Sequence, residues 1–463
     1  MNLDEPSYSD EEKELVKRYE QSCADNTPCY FDVDEYTILF DFYLEKEDWG
    51  NTRKILDAAL SYHSYSPEIM DCEARFFAAK EDFASAENCI EEALRLEPDN
   101  TDALLTKGKI YLHTNRIREA ETLFEILIKK ADKEDIEDIL IEVGIGYRTI
   151  NELKDAQKYL LEAVRLNNNN EESLYELGFV YELGGDRDLA LSYYNKSLDI
   201  NPYAHSTWSA IGNIYYNSEE YEKAIEAYDY ACTIDPQDTY ALLQKGNSYF
   251  GNCQYEEAIA TFEEFNDLVG ETAQGYIYLG DCYMNLGKNE EAEQKYLRAI
   301  ELDPEDTTAM SDLCVTYLEM GKYEEALKWY EEAVRREPDR SEYYVFAAEA
   351  YINLDKTDEA TQCYLTAIEK DPNQTVAYTA LGNLMFDLKK YDIALHYLQK
   401  AYEIDPEADD INLFIAVTHY RMGNKQDAKR FLQKAMEKDP HSSSVFSDVC
   451  PEVLDDKDFS DLL

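Results

Sequence analysis

Basic residues are scarce in this chain: 44 Lys and Arg stand against 98 Asp and Glu, a formal net charge of −54 over 463 residues. A surface of that sign repels phosphate backbones, which argues against nucleic acid as a partner and for a neutral or basic protein or peptide. Long apolar runs are missing too. None approaches the ~18 residues that read as a membrane span, so no membrane association is expected. The opening stretch MNLDEPSYSDEEKELVKRY is charged throughout, without the apolar segment of a secretory signal. Histidines number six (63, 113, 205, 396, 419, 441) and stand isolated. There is no HExxH, CxxC, EF-hand loop, phosphate-cradling glycine loop or GxSxG elbow, so the spacings that metal, nucleotide or nucleophile chemistry require are absent. Acidic pairs occur everywhere, which makes any carboxylate dyad uninformative. The ten cysteines are dispersed, not closely paired. Cys232, Cys282, Cys314 and Cys363 fall beside core helix positions, where a reduced thiol behaves as a small hydrophobe. The expectation is a cytoplasmic, non-catalytic protein with no cofactor and no metal.

What is present is periodic. With 44% hydrophobic and 13% aromatic residues the chain is too apolar for disorder. In residues 205–238, Trp208, Ile211, Gly212 and Tyr215 share one helical face, and Ala224, Tyr228 and Ala231 share another. The polar run Asn217 to Glu220 separates the two faces, and Pro236 closes the second. A lone hairpin of this size cannot bury both stripes. The neighbours supply the cover: Ala224 recurs every 34 residues as Ala258, Ala292, Ala326, Ala360, Ala394 and Ala428, and backward as Ala190 and Ala156, then, after a two-residue slip, Ala120 and Ala86. A ladder of one residue type at one period marks a helical-repeat solenoid.

Repeats begin near 33, 67, 101, 137, 171, 205, 239, 273, 307, 341, 375 and 409, twelve in all, and positions below are counted from these residues. Position 8 is small, with Gly108, Gly144, Gly178, Gly212, Gly246, Gly280 and Gly382, or Ala74, Cys314, Ala348 and Ala416. The expected reason is close approach of the two helix backbones. Gly185, Gly287, Gly321 and Gly423 suit the left-handed residue that ends a helix. Prolines such as Pro202, Pro236 and Pro304 stop the second helix. Trp208 and the recurrent Tyr181, Tyr215, Tyr249, Tyr283, Tyr317 and Tyr351 read as core residues.

The segment YIYLGDCYMNLGKNEEAEQKYLRAIELDPED (276–306) carries Tyr, Leu-Gly, Tyr, then Ala, Tyr, Ala and a closing Pro at the spacing of the tetratricopeptide repeat (TPR), and about nine-tenths of the chain resembles that family. The resemblance implies an all-α, right-handed α-solenoid of helix-turn-helix repeats whose first helices line a concave groove. On this reading residues 1–32 are a lead-in with a capping helix near 11–23 (Leu15, Val16, Tyr19, Cys23). Residues 33–442 are the array, and 443–463 form a C-terminal cap and acidic tail. Val445, Phe446, Val449, Val453, Leu454, Phe459, Leu462 and Leu463 are expected to cover the last repeat. Three irregular stretches, near 128–138, 167–170 and 266–272, are expected to change the local twist or act as hinges.

The family's groove positions are 2, 5, 6, 9, 12 and 13. Its carboxylate clamp, which needs Lys, Arg and Asn there, has no counterpart. Positions 2 and 5 hold no basic residue, and position 9 offers only Arg75 and Lys109. In its place Asn213 and Asn247 hold position 9 of consecutive repeats and Asn217 holds position 13, with Tyr216, Tyr240, Gln244 and Phe250 beside them. Asparagine can donate to and accept from a peptide backbone at once, and aromatic rings add contact area at low entropic cost. These seven residues are the candidate partner-binding set of a protein-interaction scaffold. The competing reading is that the asparagines cap helix ends or bond to neighbouring helices. Two alternatives to groove binding stand: a chaperone-like holder of basic proteins acting through diffuse charge, and self-association through end repeats.

Overall fold

Each repeat folds as two helices because its two apolar stripes have defined stops. The computed structural model describes residues 9–24, 30–408, 410–456, 458, 459 and 462. Among these residues there are only helices, and none is long and apolar enough to cross a membrane. After the helix Asp10–Ala24 come twelve consecutive helix pairs, from Val33–Glu45 with Trp49–Tyr62 to Ile411–Arg421 with Lys425–Lys438. Side-chain caps start many of them. Asp32 and Glu35 form a reciprocal capping box, and Asn100, Asn170, Asp186 and Thr272 each accept from a backbone N–H of the first turn. Second helices end on a C-cap residue directly before the proline, as at Asn201, Asp235 and Asp303.

The turn inside every pair has one geometry. Residue 15 of all twelve repeats lies at φ between 53° and 81°. Gly185, Gly287, Gly321 and Gly423 take this left-handed conformation freely, whereas Glu219, Lys389 and six other non-glycine residues hold it against the steric penalty of a Cβ. The turn is closed by paired backbone bonds, as where Glu219 N–H donates to the Tyr216 carbonyl and Glu220 N–H to that of Tyr215, each at 2.9 Å.

The chain divides into two compact units, Met1–Ser248 and Tyr249–Leu463, the division falling inside the helix Thr239–Gly251. Within each, first helices pack on their own second helices and second helices on the following first helix, and many successive first helices also touch, as Val33–Glu45 does Pro67–Ala79. The alanine ladder is the packing spine. Ala86, Ala120, Ala156, Ala190 and Ala224 in the first unit, and Ala258, Ala292, Ala326, Ala360, Ala394 and Ala428 in the second, are all 0% exposed. Thr52 replaces alanine in the first repeat and is also fully buried, its hydroxyl donating to the Asp48 carbonyl at 2.7 Å.

Position 8 is small for a reason other than backbone approach. A Cβ on Gly212 would stand 2.6 Å from the Tyr228 ring, one on Gly178 2.7 Å from Tyr194, and one on Gly280 2.4 Å from Tyr296. Each glycine leaves room for the large side chain sixteen residues later, on the second helix. Those rings are among the deeply buried tyrosines, as are Tyr36, Tyr147, Tyr343 and Tyr364. Of the six tyrosines expected in the core from position 11, only Tyr317 is buried; Tyr181, Tyr215, Tyr249, Tyr283 and Tyr351 are half-buried. Trp208 is half-buried as well, its indole N–H donating to the Pro202 carbonyl at 3.0 Å.

The irregular stretch after Lys130 leaves the core uninterrupted. One apolar cluster runs from Leu105 through Leu127 and Ile139 to Val180. At the first unit's start, Leu15, Val16 and Tyr19 pack with Phe31, Tyr36 and Tyr43, while Cys23 is exposed and not part of that stripe. At the second unit's end, the helix Ser442–Val449 and the short 3-10 turn Pro451–Asp455 bring Phe446, Val453 and Phe459 into one buried cluster with Leu432, and Leu462 packs against it. Val445, Val449 and Leu454 stay exposed, so three of the seven described members of the expected covering set do not cover. Leu463, residues 1–8 and residues 25–29 lie outside the described residues.

Candidate partner-binding surface

The candidate residues sit on two successive first helices, His205–Asn217 and Thr239–Gly251. The structure gives them different roles. Asn213 is engaged by the fold: its Oδ1 accepts from the Tyr228 hydroxyl at 2.6 Å and from the Tyr240 hydroxyl at 2.8 Å. Tyr228 is fully buried and Tyr240 half-buried, so one amide oxygen ties its own second helix to the next first helix. Asn213 therefore has its carbonyl oxygen occupied, and Tyr240 is its donor, not a free aromatic platform. The other members are half-buried or exposed. Asn247 Nδ2 donates to Gln244 Oε1 at 3.3 Å, Tyr216 is half-buried with Tyr221 edge-on at 5.8 Å, and Asn217 is exposed at its helix's end. Phe250 belongs to the second unit, where its ring meets Tyr255 edge-on at 5.5 Å. Two further position-13 asparagines bond back into their own helices: Asn285 Nδ2 reaches the Asp281 carbonyl at 2.8 Å and Asn353 Nδ2 the Glu349 carbonyl at 2.9 Å.

The bond beneath Asn213 has counterparts. Tyr296 donates to Asp281 Oδ1 at 2.6 Å, and Tyr194 to Glu182 Oε2 at 2.7 Å. In each case the buried ring that fills the glycine gap ends in a hydroxyl under a polar residue of the first helix. The sequence carries the signal as a polar residue directly after the position-8 glycine with tyrosine fifteen residues on, in Gly212-Asn213 with Tyr228 and in Gly280-Asp281 with Tyr296. Sequence reasoning took the tyrosines as apolar filling; its competing reading, that the asparagines bond to neighbouring helices, describes Asn213, while the acceptors Asp281 and Glu182 were missed.

It also missed a set of desolvated carboxyls in the second unit. Burial raises Asp281, Asp312 and Glu349 above the ordinary carboxylate range. Asp312 rises to about 7, through burial first and then repulsion from Asp281 and Asp306, partly offset by Arg340. The sign of the consequence follows. Between the ordinary value of 3.8 and about 7 the folded chain keeps a proton that the unfolded chain has lost, so stability falls as pH rises through that window and levels off above it. Asp312→Asn is expected to raise the urea midpoint more at pH 8 than at pH 5. An equal shift at both pH values would contradict the assignment. Among the described residues no group of three or more His, Cys, Asp or Glu is placed to hold a metal ion.

Family models for the tetratricopeptide repeat match residues 77–139, 171–203, 243–307, 283–344, 317–384 and 385–447, and a TPR-repeat model matches 212–252. The chain belongs to the tetratricopeptide-repeat family. Among solved structures, the MamA protein is 25% identical over 37% of this chain and 93% of its own, with a TM-score of 0.34. YrrB, described as a TPR protein with an unusual peptide-binding site, is 24% identical over 40% of this chain and 96% of its own, TM-score 0.34. One chain of the structure of the APC/C hetero-tetramer Cut9–Hcn1 is 13% identical over 88% of this chain and 98% of its own, TM-score 0.40. No curated protein sequence matches this TPR chain.

Proposed function

We propose that this TPR protein is a non-catalytic protein-interaction scaffold, and that the inner side of its first helices near residues 213–247 holds a segment of a protein partner. The observation that carries the reading is the contrast at position 9. The Asn213 carbonyl is consumed by the fold, whereas Asn247 and its neighbour Gln244 bond only weakly to each other at 3.3 Å. A peptide backbone could exchange with that bond at little cost, because both amides keep donors and acceptors for it. Tyr216 and Asn217 extend the surface within the first unit. The formal charge of −54 favours one competing reading, a holder of basic proteins through diffuse charge.

A photo-crosslinking amino acid at position 244 tests the proposal against one at the exposed outer residue Glu226. Discrete adducts from position 244, and none from 226, are the expected result in native lysate. Equal smears of adducts from both positions would support the diffuse holder and overturn the groove.

A further inference from the structure

The first unit carries a feature that the surface near 213–247 does not use. Position 2 of the first helix is acidic in five successive repeats: Asp34, Glu68, Asp102, Asp138 and Glu172. The helices that carry them, Val33–Glu45, Pro67–Ala79, Thr101–His113, Ile136–Thr149 and Glu171–Leu183, touch one after the next, so the five carboxylates form one row. A first-turn acid complements the helix dipole, but that benefit is the same for every first helix. The next four repeats carry Ser206, Tyr240, Gln274 and Thr308 instead. The dipole therefore does not account for an unbroken run at one end.

Three members of the row, Asp34, Glu68 and Asp102, line a cavity of about 470 Å³ together with Asp41, Asp71 and Glu142. Against these six carboxylates the cavity has two cations, and both are engaged. Arg75 Nη2 lies 2.7 Å from Asp41 Oδ1 and its Nε 3.1 Å from Asp71 Oδ2, while Lys109 pairs with Glu142. Asp71 is 6% exposed, and its second oxygen, Oδ1, has no hydrogen-bond partner. Such a group is costly to bury without compensation. At the row's other end Glu172 is pushed up by burial and then by Glu142, Asp138 and Glu171. The whole row is short of positive charge.

Its spacing selects a chain geometry. Neighbouring helices pack ~8–10 Å apart, and an extended chain advances ~3.1–3.4 Å per residue. Three residues therefore carry an extended segment from one acid to the next. We propose that the acidic row of the first unit seats an extended segment of a protein partner that carries lysine or arginine at every third residue. The side-chain stems of that segment lie on Ile38 and Leu105, which line the same cavity. The inference rests on the reading that the inner faces of the first helices hold partner segments, and it adds a second, chemically distinct seat.

The test measures fluorescence anisotropy of two labelled twelve-residue peptides on the full chain at physiological salt. One has lysine at every third residue with serine and alanine between; the other has the same composition with its four lysines adjacent. The spaced peptide is expected to bind at least tenfold tighter. Glu68→Gln/Asp102→Gln/Asp138→Gln is expected to remove that preference, with an unchanged melting temperature showing that the fold survives. The same charge loss on exposed second-helix residues, Glu91→Gln/Glu125→Gln/Glu162→Gln, should leave it intact. Equal affinities for the two peptides, or an equal loss in both triple variants, would overturn the proposal in favour of diffuse attraction. A partner that crosslinks at position 244 while the spaced peptide shows no preference would sink the acidic seat alone. Loss of both signals would sink the scaffold reading as well.

Discussion

Gly280→Leu is expected to destabilise the second unit by about 3 kcal/mol or more, read as a fall in the urea midpoint. The added Cβ alone would stand 2.4 Å from the Tyr296 ring. That ring has nowhere to go, being 1% exposed and tied by its hydroxyl to Asp281 Oδ1 at 2.6 Å. The loss should be partly recovered by Gly280→Leu/Tyr296→Ala, because the pair of positions is filled as a unit. Gly144 and Gly382 face Leu160 and Leu398, and the two positions hold Ala348 with Tyr364 in another repeat. The same precedent sets a control: Gly280→Ala should cost much less than leucine. Gly280→Leu melting like the unaltered chain would contradict the packing account.

Asn213→Ala is expected to cost about 2–4 kcal/mol, since two tyrosine hydroxyls lose their acceptor and the Tyr228 hydroxyl is left in a buried site at ~1–3 kcal/mol. The bonds at 2.6 and 2.8 Å are made by one oxygen, so the effect should be coupled. In a double-mutant cycle with Tyr228→Phe, the second substitution should cost clearly less once the first is present. Additive losses would show that the bond contributes nothing. The expectation also bears on function: partner loss in an Asn213 variant would report unfolding as readily as a lost contact, so binding is better probed at Gln244 and Asn247.

The fold was legible because its signals are local and repeated. The alanine ladder, the position-8 glycines and the prolines each recur at one period, and a 34-residue period has few structural readings. What escaped was contact between elements. Periodicity places Tyr215 and Tyr228 on helical faces alike, but only the packing of the second helix against Gly212 decides that Tyr228 is the fully buried one. The candidate site suffered the same way. Asn213 and Asn247 share position 9, yet a tyrosine at position 2 of the following repeat, Tyr240, is what engages Asn213. The desolvated Asp312 was hidden because every acidic residue looks alike in a chain with 98 of them. The stretch 128–138 looked like a break because its spacing slips, but Leu127 and Ile139 share one apolar cluster across it.

The central claim is that the inner side of the first helices is a specific binding surface and not a charged coat. Its most direct test is affinity capture from native lysate with the unaltered chain and with Gln244→Ala/Asn247→Ala, each at low and at physiological salt. Diffuse charge is screened over a few ångströms at high salt, whereas hydrogen bonds in a groove are screened far less. The account predicts a discrete partner that survives physiological salt and is lost from the double variant while its melting temperature is unchanged. A broad set of basic proteins, released by salt and indifferent to the two substitutions, would contradict it.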